Sequence, residues 1–214
     1  MSDSGSARSA PRLLLGSRPA PSTAATTSVA SDVVSRGGVR ASLRGRRALR
    51  EGRHEGAWSA LKDLLPEEQL DAFISKYATE IAAQARAVLG KMRAFLPGAI
   101  ELVYDNFNAL AIGFGTTERT SDAVFSIAVF PRWISLFFLH GANLADLNHL
   151  LKGKGKSARH IVLYRPETLD MPAVQALMVQ ALKRASPPFD PRRPNRIVIK
   201  SVSVKQRSRR PKPL

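Results

Sequence analysis

The residues best placed to do chemistry lie in one glycine-rich stretch, Leu150-Leu151-Lys152-Gly153-Lys154-Gly155-Lys156-Ser157-Ala158-Arg159-His160. Lys152, Lys154, Lys156 and Arg159 put four cations on a permissive backbone. Such a loop can hold a phosphate or carboxylate through charge-assisted hydrogen bonds and backbone N–H groups. The same residues also suit a solvated surface turn that binds nothing. Gly155-Lys156-Ser157 echoes the end of a nucleotide-binding P-loop. The first glycine of that pattern falls on Leu150, however, and the loop precedes a strand instead of opening a helix. Nucleotide hydrolysis is excluded on both counts. Arg132, in a predicted hairpin turn, and His140, which ends one strand as His160 begins another, complete the candidate anion-binding set.

No other catalytic constellation stands out. The histidines His54, His140, His149 and His160 show neither i, i+4 spacing nor an HExxH context. No G-x-S-x-G elbow is present. Glu101 and Asp105 share a strand face but stand roughly 13 Å apart along it, too far for a retaining carboxylate pair. The chain has no cysteine, which removes disulfides, thiolate nucleophiles and Cys-ligated metal centres and fits a reducing compartment. Its apolar runs fall well short of the roughly 18 residues of a membrane span. The expectation is a cytoplasmic binding or accessory protein, not an enzyme.

The net charge of +16 is unevenly placed. Residues 1–56 hold ten arginines against four acids, and residues 191–214 hold nine bases and no acid. The segment 57–190 is nearly neutral, with fourteen bases and thirteen acids. This predicts an Arg-rich disordered arm over 1–56, a globular domain over 57–190 and a basic tail over 191–214. Basic ends attract polyanions such as nucleic acid or the ribosome, and they also simply keep a protein soluble. The tail cations Lys200, Lys205, Arg207, Arg209 and Arg210 are the candidate nucleic-acid contacts. The aromatic RNA-reading pattern of Gly-Phe runs is absent. The arm composition also resembles an organelle transit peptide.

The elements that must position these groups follow from periodicity. Pro66 with Glu67 and Glu68 reads as a helix start, because proline loses nothing in the first turn and the helix dipole favours acids there. Ile81, Ala85, Val88, Leu89, Met92, Phe95 and Leu96 form one helical stripe, stopped by Pro97-Gly98. Strand patterns follow at 100–105, 109–114, 124–130, 133–139 and 160–165, then a second amphipathic helix over 171–184. This order predicts an α+β fold, an antiparallel sheet of about five strands with two main helices on one face. Residues 197–204 read as either an edge strand or a tail.

The hairpin over 124–139 has two distinct faces. Phe125, Ile127 and Val129 with Ile134, Leu136 and Phe138 make an apolar core face. The other face sets small Ser126, Ala128 and Ser135 between Trp133 and Phe137. A solvated face would be polar, so this one is expected to be covered by a ligand, by a second subunit in a homodimer, or by the 197–204 segment.

Glu101-Leu102-Val103-Tyr104-Asp105, the hairpin ending Leu136-Phe137-Phe138-Leu139-His140-Gly141, the 150–160 loop and the helix after Asp170 together resemble the bacterial YdhG-like domain family, over about residues 66–185. The resemblance implies a frataxin-like sandwich, and one branch of that family is described as an intracellular iron chaperone. On that footing iron is the implied cofactor or cargo, with Glu67, Glu68, Asp71 and Glu101 as its oxygen ligands.

Overall fold

The computed structural model describes residues 63–211. The expected N-terminal arm and Trp58 lie outside the described residues. Three helices and six strands follow in the order α1 (Pro66–Ser75), α2 (Thr79–Phe95), β1 (Ile100–Asp105), β2 (Leu110–Gly115), β3 (Ala123–Val129), β4 (Ile134–Phe138), β5 (Arg159–Leu163), α3 (Pro172–Leu182) and β6 (Arg196–Val202). The fold is α+β. Helix α1 starts where the sequence predicts. Pro66 lies in its first turn, and the Glu68 carboxylate accepts the Leu65 N–H at 3.0 Å.

The six strands form one sheet in the order β5-β4-β3-β2-β1-β6. The pairings are antiparallel except at one edge, where β6 runs parallel to β1. This differs from the expected antiparallel sheet of about five strands. The domain also does not end at residue 190, since the supposed tail supplies an edge strand. Its residues are all exposed or half-buried, in keeping with an edge position where only one side of the strand meets a neighbour.

All three helices pack on one face. Phe73, Val88, Met92, Leu177 and Met178 join Val103, Ile112, Phe125, Ile127, Leu136 and Phe138 in a single buried cluster. The hairpin register matches the expectation. Val129 pairs with Ile134 and Ala128 with Ser135, and the Phe130 N–H donates to the Trp133 carbonyl at 2.9 Å. A two-residue turn leaves the strands no other way to match faces. One residue departs from the alternation: Val124, two before Ser126 and so expected on the second face, belongs to the main core.

The break between α1 and α2 places Tyr77. Its hydroxyl donates to the Val129 carbonyl at 2.8 Å and accepts the Leu110 N–H at 2.8 Å, tying the helix corner to the β2–β3 ladder where it ends. Burial pushes its phenol pKa up. Tyr77→Phe removes both bonds and leaves two buried backbone groups unpaired. A loss of about 1–3 kcal/mol is expected, read by urea unfolding with an unchanged m-value.

Candidate nucleic-acid interface

The sheet register gathers distant parts of the chain at one end. Asp105 pairs with Leu110, Leu110 with Val129, Val129 with Ile134, and Ile134 with Leu163, while Asp105 also pairs with Val202. The β1–β2 turn, the β3–β4 turn, the exit of β5 and the run after β6 therefore share one rim. Phe107, Arg132, Trp133, Tyr164, Arg165 and residues 203–210 lie along it.

This rim is rich in exposed aromatics. Trp133 is 40% exposed, Phe107 51% and Tyr164 80%. The Trp133 ring stacks on Phe130 with centroids 4.9 Å apart and planes 22° from parallel, so its orientation is fixed. Continuing the Ile134–Leu163 register sets Trp133 across from Tyr164 on the neighbouring strand, at a strand spacing of about 4.8 Å. Large rings held at strand ends and left partly in water make stacking platforms for flat ligands.

Cations interleave with the rings. Arg132, Arg165, Lys205, Arg207 and Arg210 are all exposed. The Arg207 N–H donates to the Phe107 carbonyl at 2.9 Å, which pins the post-β6 run beside that aromatic. Asp105 is fully buried and already engaged. It accepts Lys76 Nζ at 2.5 Å, Arg209 at 2.7 Å and Gln206 at 2.7 Å. Its charge is therefore spent inside the protein and does not oppose the rim cations.

Arg209 is a correction. Expected as a free nucleic-acid contact, it is buried. Its guanidinium reaches Asp105 and the Asn106 carbonyl and lies 5.5 Å from the Tyr77 ring centroid. It anchors the chain end to the β1–β2 turn. Lys200 is exposed within β6 itself, and Lys205 and Arg210 flank the anchor in water.

No family profile, curated protein or solved structure matches the chain.

The glycine loop lies at the opposite end of the sheet. Arg159 opens β5 opposite Phe138, whereas Tyr164 follows the β5 exit, roughly 17 Å away at strand rise. The six residues of the expected anion site are thus divided: Arg132 joins the aromatic rim, and His140, Lys152, Lys154, Lys156 and Arg159 stay with the loop. There the backbones of Lys152 and His160 bond each other at 2.8 and 2.9 Å. The Arg159 guanidinium turns inward, donating to the carbonyls of Gly155 at 2.6 Å and Ala158 at 2.8 Å. His140 lies 3.4 Å from the Ser157 hydroxyl. His140 and His160 do not join as a pair. The His160 ring is instead buried 5.1 Å from Phe137, where desolvation, then Lys152, holds its pKa down. Lys152, Lys154 and Lys156 are all exposed.

The carboxylates of the resemblance meet arginines. Arg93 donates to Glu101 at 2.7 and 2.9 Å and to Glu67 at 2.8 and 3.0 Å, a double fork that raises its own pKa. Asp71 is held by Arg86 at 2.7 Å, chiefly by that hydrogen bond, and its pKa is lowered. Glu68 caps α1. Among the described residues no three His, Asp or Glu side chains group closely enough to hold a metal ion, and no helix is long and apolar enough to cross a membrane.

The second sheet face receives its small residues as expected. Ser126, Ala128, Ser135 and Phe137 are buried there, and the 197–204 segment does not cover them because it runs along β1 as β6. Phe107, Tyr164 and Arg165 escaped the sequence reading. Their only signal was local: an aromatic inside the polar turn Asn106-Phe107-Asn108, and a Tyr-Arg pair stopped by Pro166.

Proposed function

We propose that this chain is a non-enzymatic binding protein for single-stranded nucleic acid, gripped at the hairpin end of the sheet. The observation that carries the reading is the row Phe107, Trp133 and Tyr164, exposed and interleaved with Arg132, Arg165, Lys205, Arg207 and Arg210. Bases stack on the rings and phosphates pair with the cations, a combination that favours unpaired strands, whose π-faces are free. Duplex offers charge but no face to stack on.

The test is anisotropy with labelled oligo(U) and oligo(dT) of about ten nucleotides. Removing Trp133 or Tyr164 by substitution to Ala should weaken binding by about 1–3 kcal/mol each, or 5- to 150-fold. If all five rim cations meet phosphates, the log–log salt slope should be about −3.5, and Arg132→Ala with Arg165→Ala should reduce it by about 1.4. Affinity unchanged in both aromatic variants, or equal affinity for duplex of the same length, defeats the proposal.

Three helices layered on one face of a mostly antiparallel sheet are compatible with a frataxin-like architecture, and the YdhG-like assignment itself rests on the sequence resemblance alone. Iron handling draws less support, because Glu67, Asp71 and Glu101 each already bind an arginine.

A further inference from the structure

The glycine loop has no part in the aromatic rim, yet it is firmly braced. Lys152 and His160 exchange backbone hydrogen bonds at 2.8 and 2.9 Å and close a hairpin over residues 153–159. The Ser157 carbonyl accepts the Ala142 N–H at 2.8 Å, and the Ser157 hydroxyl donates to the Leu139 carbonyl at 2.6 Å. The half-buried Arg159 guanidinium holds the carbonyls of Gly155 and Ala158 from within. Gly153 takes a φ of +112°, a left-handed conformation that a side chain would strain.

These braces use up acceptors and leave donors over. The carbonyls of Gly155, Ser157 and Ala158 are all engaged. The successive backbone N–H groups of residues 153–158 donate to none of the described residues. The segment has no proline, so every one of those donors is real. The charge has the same sign as the donors. Lys152, Lys154 and Lys156 are exposed, Arg159 lies against the hairpin's inner side, and residues 147–166 contain no Asp or Glu. Asp146, just before them, spends its carboxylate on the Leu150 and Leu151 N–H groups at 3.0 and 2.7 Å. A braced turn with free N–H groups, engaged carbonyls and ammonium groups suits an anion with several oxygens. A carboxylate brings two oxygens and a single charge. A phosphate brings more of both and engages more of these donors.

We propose that the 153–158 hairpin is a phosphate-binding site separate from the aromatic rim. It stands on the hairpin alone and does not rest on the rim reading. The phosphate has two possible sources. One is a diester of a strand held at the rim, since Tyr164 lies four residues along β5 from His160, roughly 13 Å. The other is a monoester on a small molecule.

The test is amide NMR on the full chain, titrated with sodium phosphate at constant ionic strength beside a sodium chloride control. The amide protons of 153–158 should shift downfield and saturate with phosphate and not with chloride. Lys154→Ala combined with Lys156→Ala should weaken phosphate binding at least about tenfold, the effect of losing two charge-assisted bonds. Both residues are exposed, so the fold should survive the change. Lys154→Arg with Lys156→Arg keeps the charge and should keep most of the affinity. Two further probes assign the source. If ten-nucleotide oligo(U) moves the same amides and Trp133→Ala weakens that response, the ligand is a strand diester. If uridine monophosphate moves them equally with and without Trp133→Ala, the ligand is a monoester. Either result supports the site. No saturable shift with any of the three phosphate probes overturns the proposal, as does an equal response to chloride or an affinity unchanged in the double alanine variant. Loss of the rim reading alone, with unchanged oligo(U) affinity in both aromatic variants, leaves the phosphate titration as it was.

Discussion

Asp105→Ala is expected to destabilise the folded chain by about 3–5 kcal/mol, the loss typical when one partner of a buried ion pair is removed. Asp105 is fully buried and accepts bonds from Lys76, Gln206 and Arg209. Without it, Arg209 keeps its charge in a site that is 4% exposed at the side chain, with carbonyl oxygens as its remaining acceptors among the described residues. The desolvation cost of the guanidinium then has no counter-charge to offset it. Urea unfolding measures the loss. Asp105→Ala combined with Arg209→Met should recover part of it, because the orphaned charge is gone. A single-variant loss under about 1 kcal/mol would mean that Arg209 swings into water and that the anchor is weak.

Gly98→Ala should cost about 3 kcal/mol or more. Gly98 has φ +78°, a left-handed conformation that alone costs a non-glycine residue about 1–2 kcal/mol. A Cβ there would also run into the backbone carbonyl of Asp190. The same turn receives β6: the Gly98 N–H donates to Asn195 Oδ1 at 2.6 Å, and the Arg196 N–H donates to the Ala99 carbonyl at 3.1 Å. The substitution therefore pushes away the segment that starts β6. Hydrogen exchange should show faster exchange first in β6 and in the β1 amides bonded to it, before the rest of the sheet. Uniform exchange across all strands would show that the clasp is not local.

The legible parts of this fold are those whose partners are near in sequence. Helix α2 and the β3–β4 hairpin follow from apolar spacing and from a two-residue turn that fixes the register. The second face was legible as apolar for the same reason. β6 was legible only as one of two alternatives, edge strand or tail, because a parallel edge strand shows only a weak alternation and its partner lies most of the domain away in sequence. Arg209 looked like a free tail cation because nothing local marks it. Its partner Asp105 is 104 residues earlier. Glu101 and Glu67 looked like open carboxylates, since residue types do not reveal that Arg93 bridges them. The aromatic rim was only half visible: Trp133 and Arg132 stood out, but Tyr164 and Phe107 meet them only through the pairing of five strands.

The parallel pairing of β6 with β1 also sets a schedule for the ribosome. Residues 106–195 separate the two strands. At about 5–20 residues per second their synthesis takes roughly 5–18 s. Throughout that interval β1 has no partner on its outer side, and Asp105 has no Arg209. The nascent chain therefore carries a bare sheet edge beside a buried-to-be carboxylate until β6 and Arg209 have emerged. A chain cut short before β6 is left with that edge open to proteases or to strand pairing with other chains.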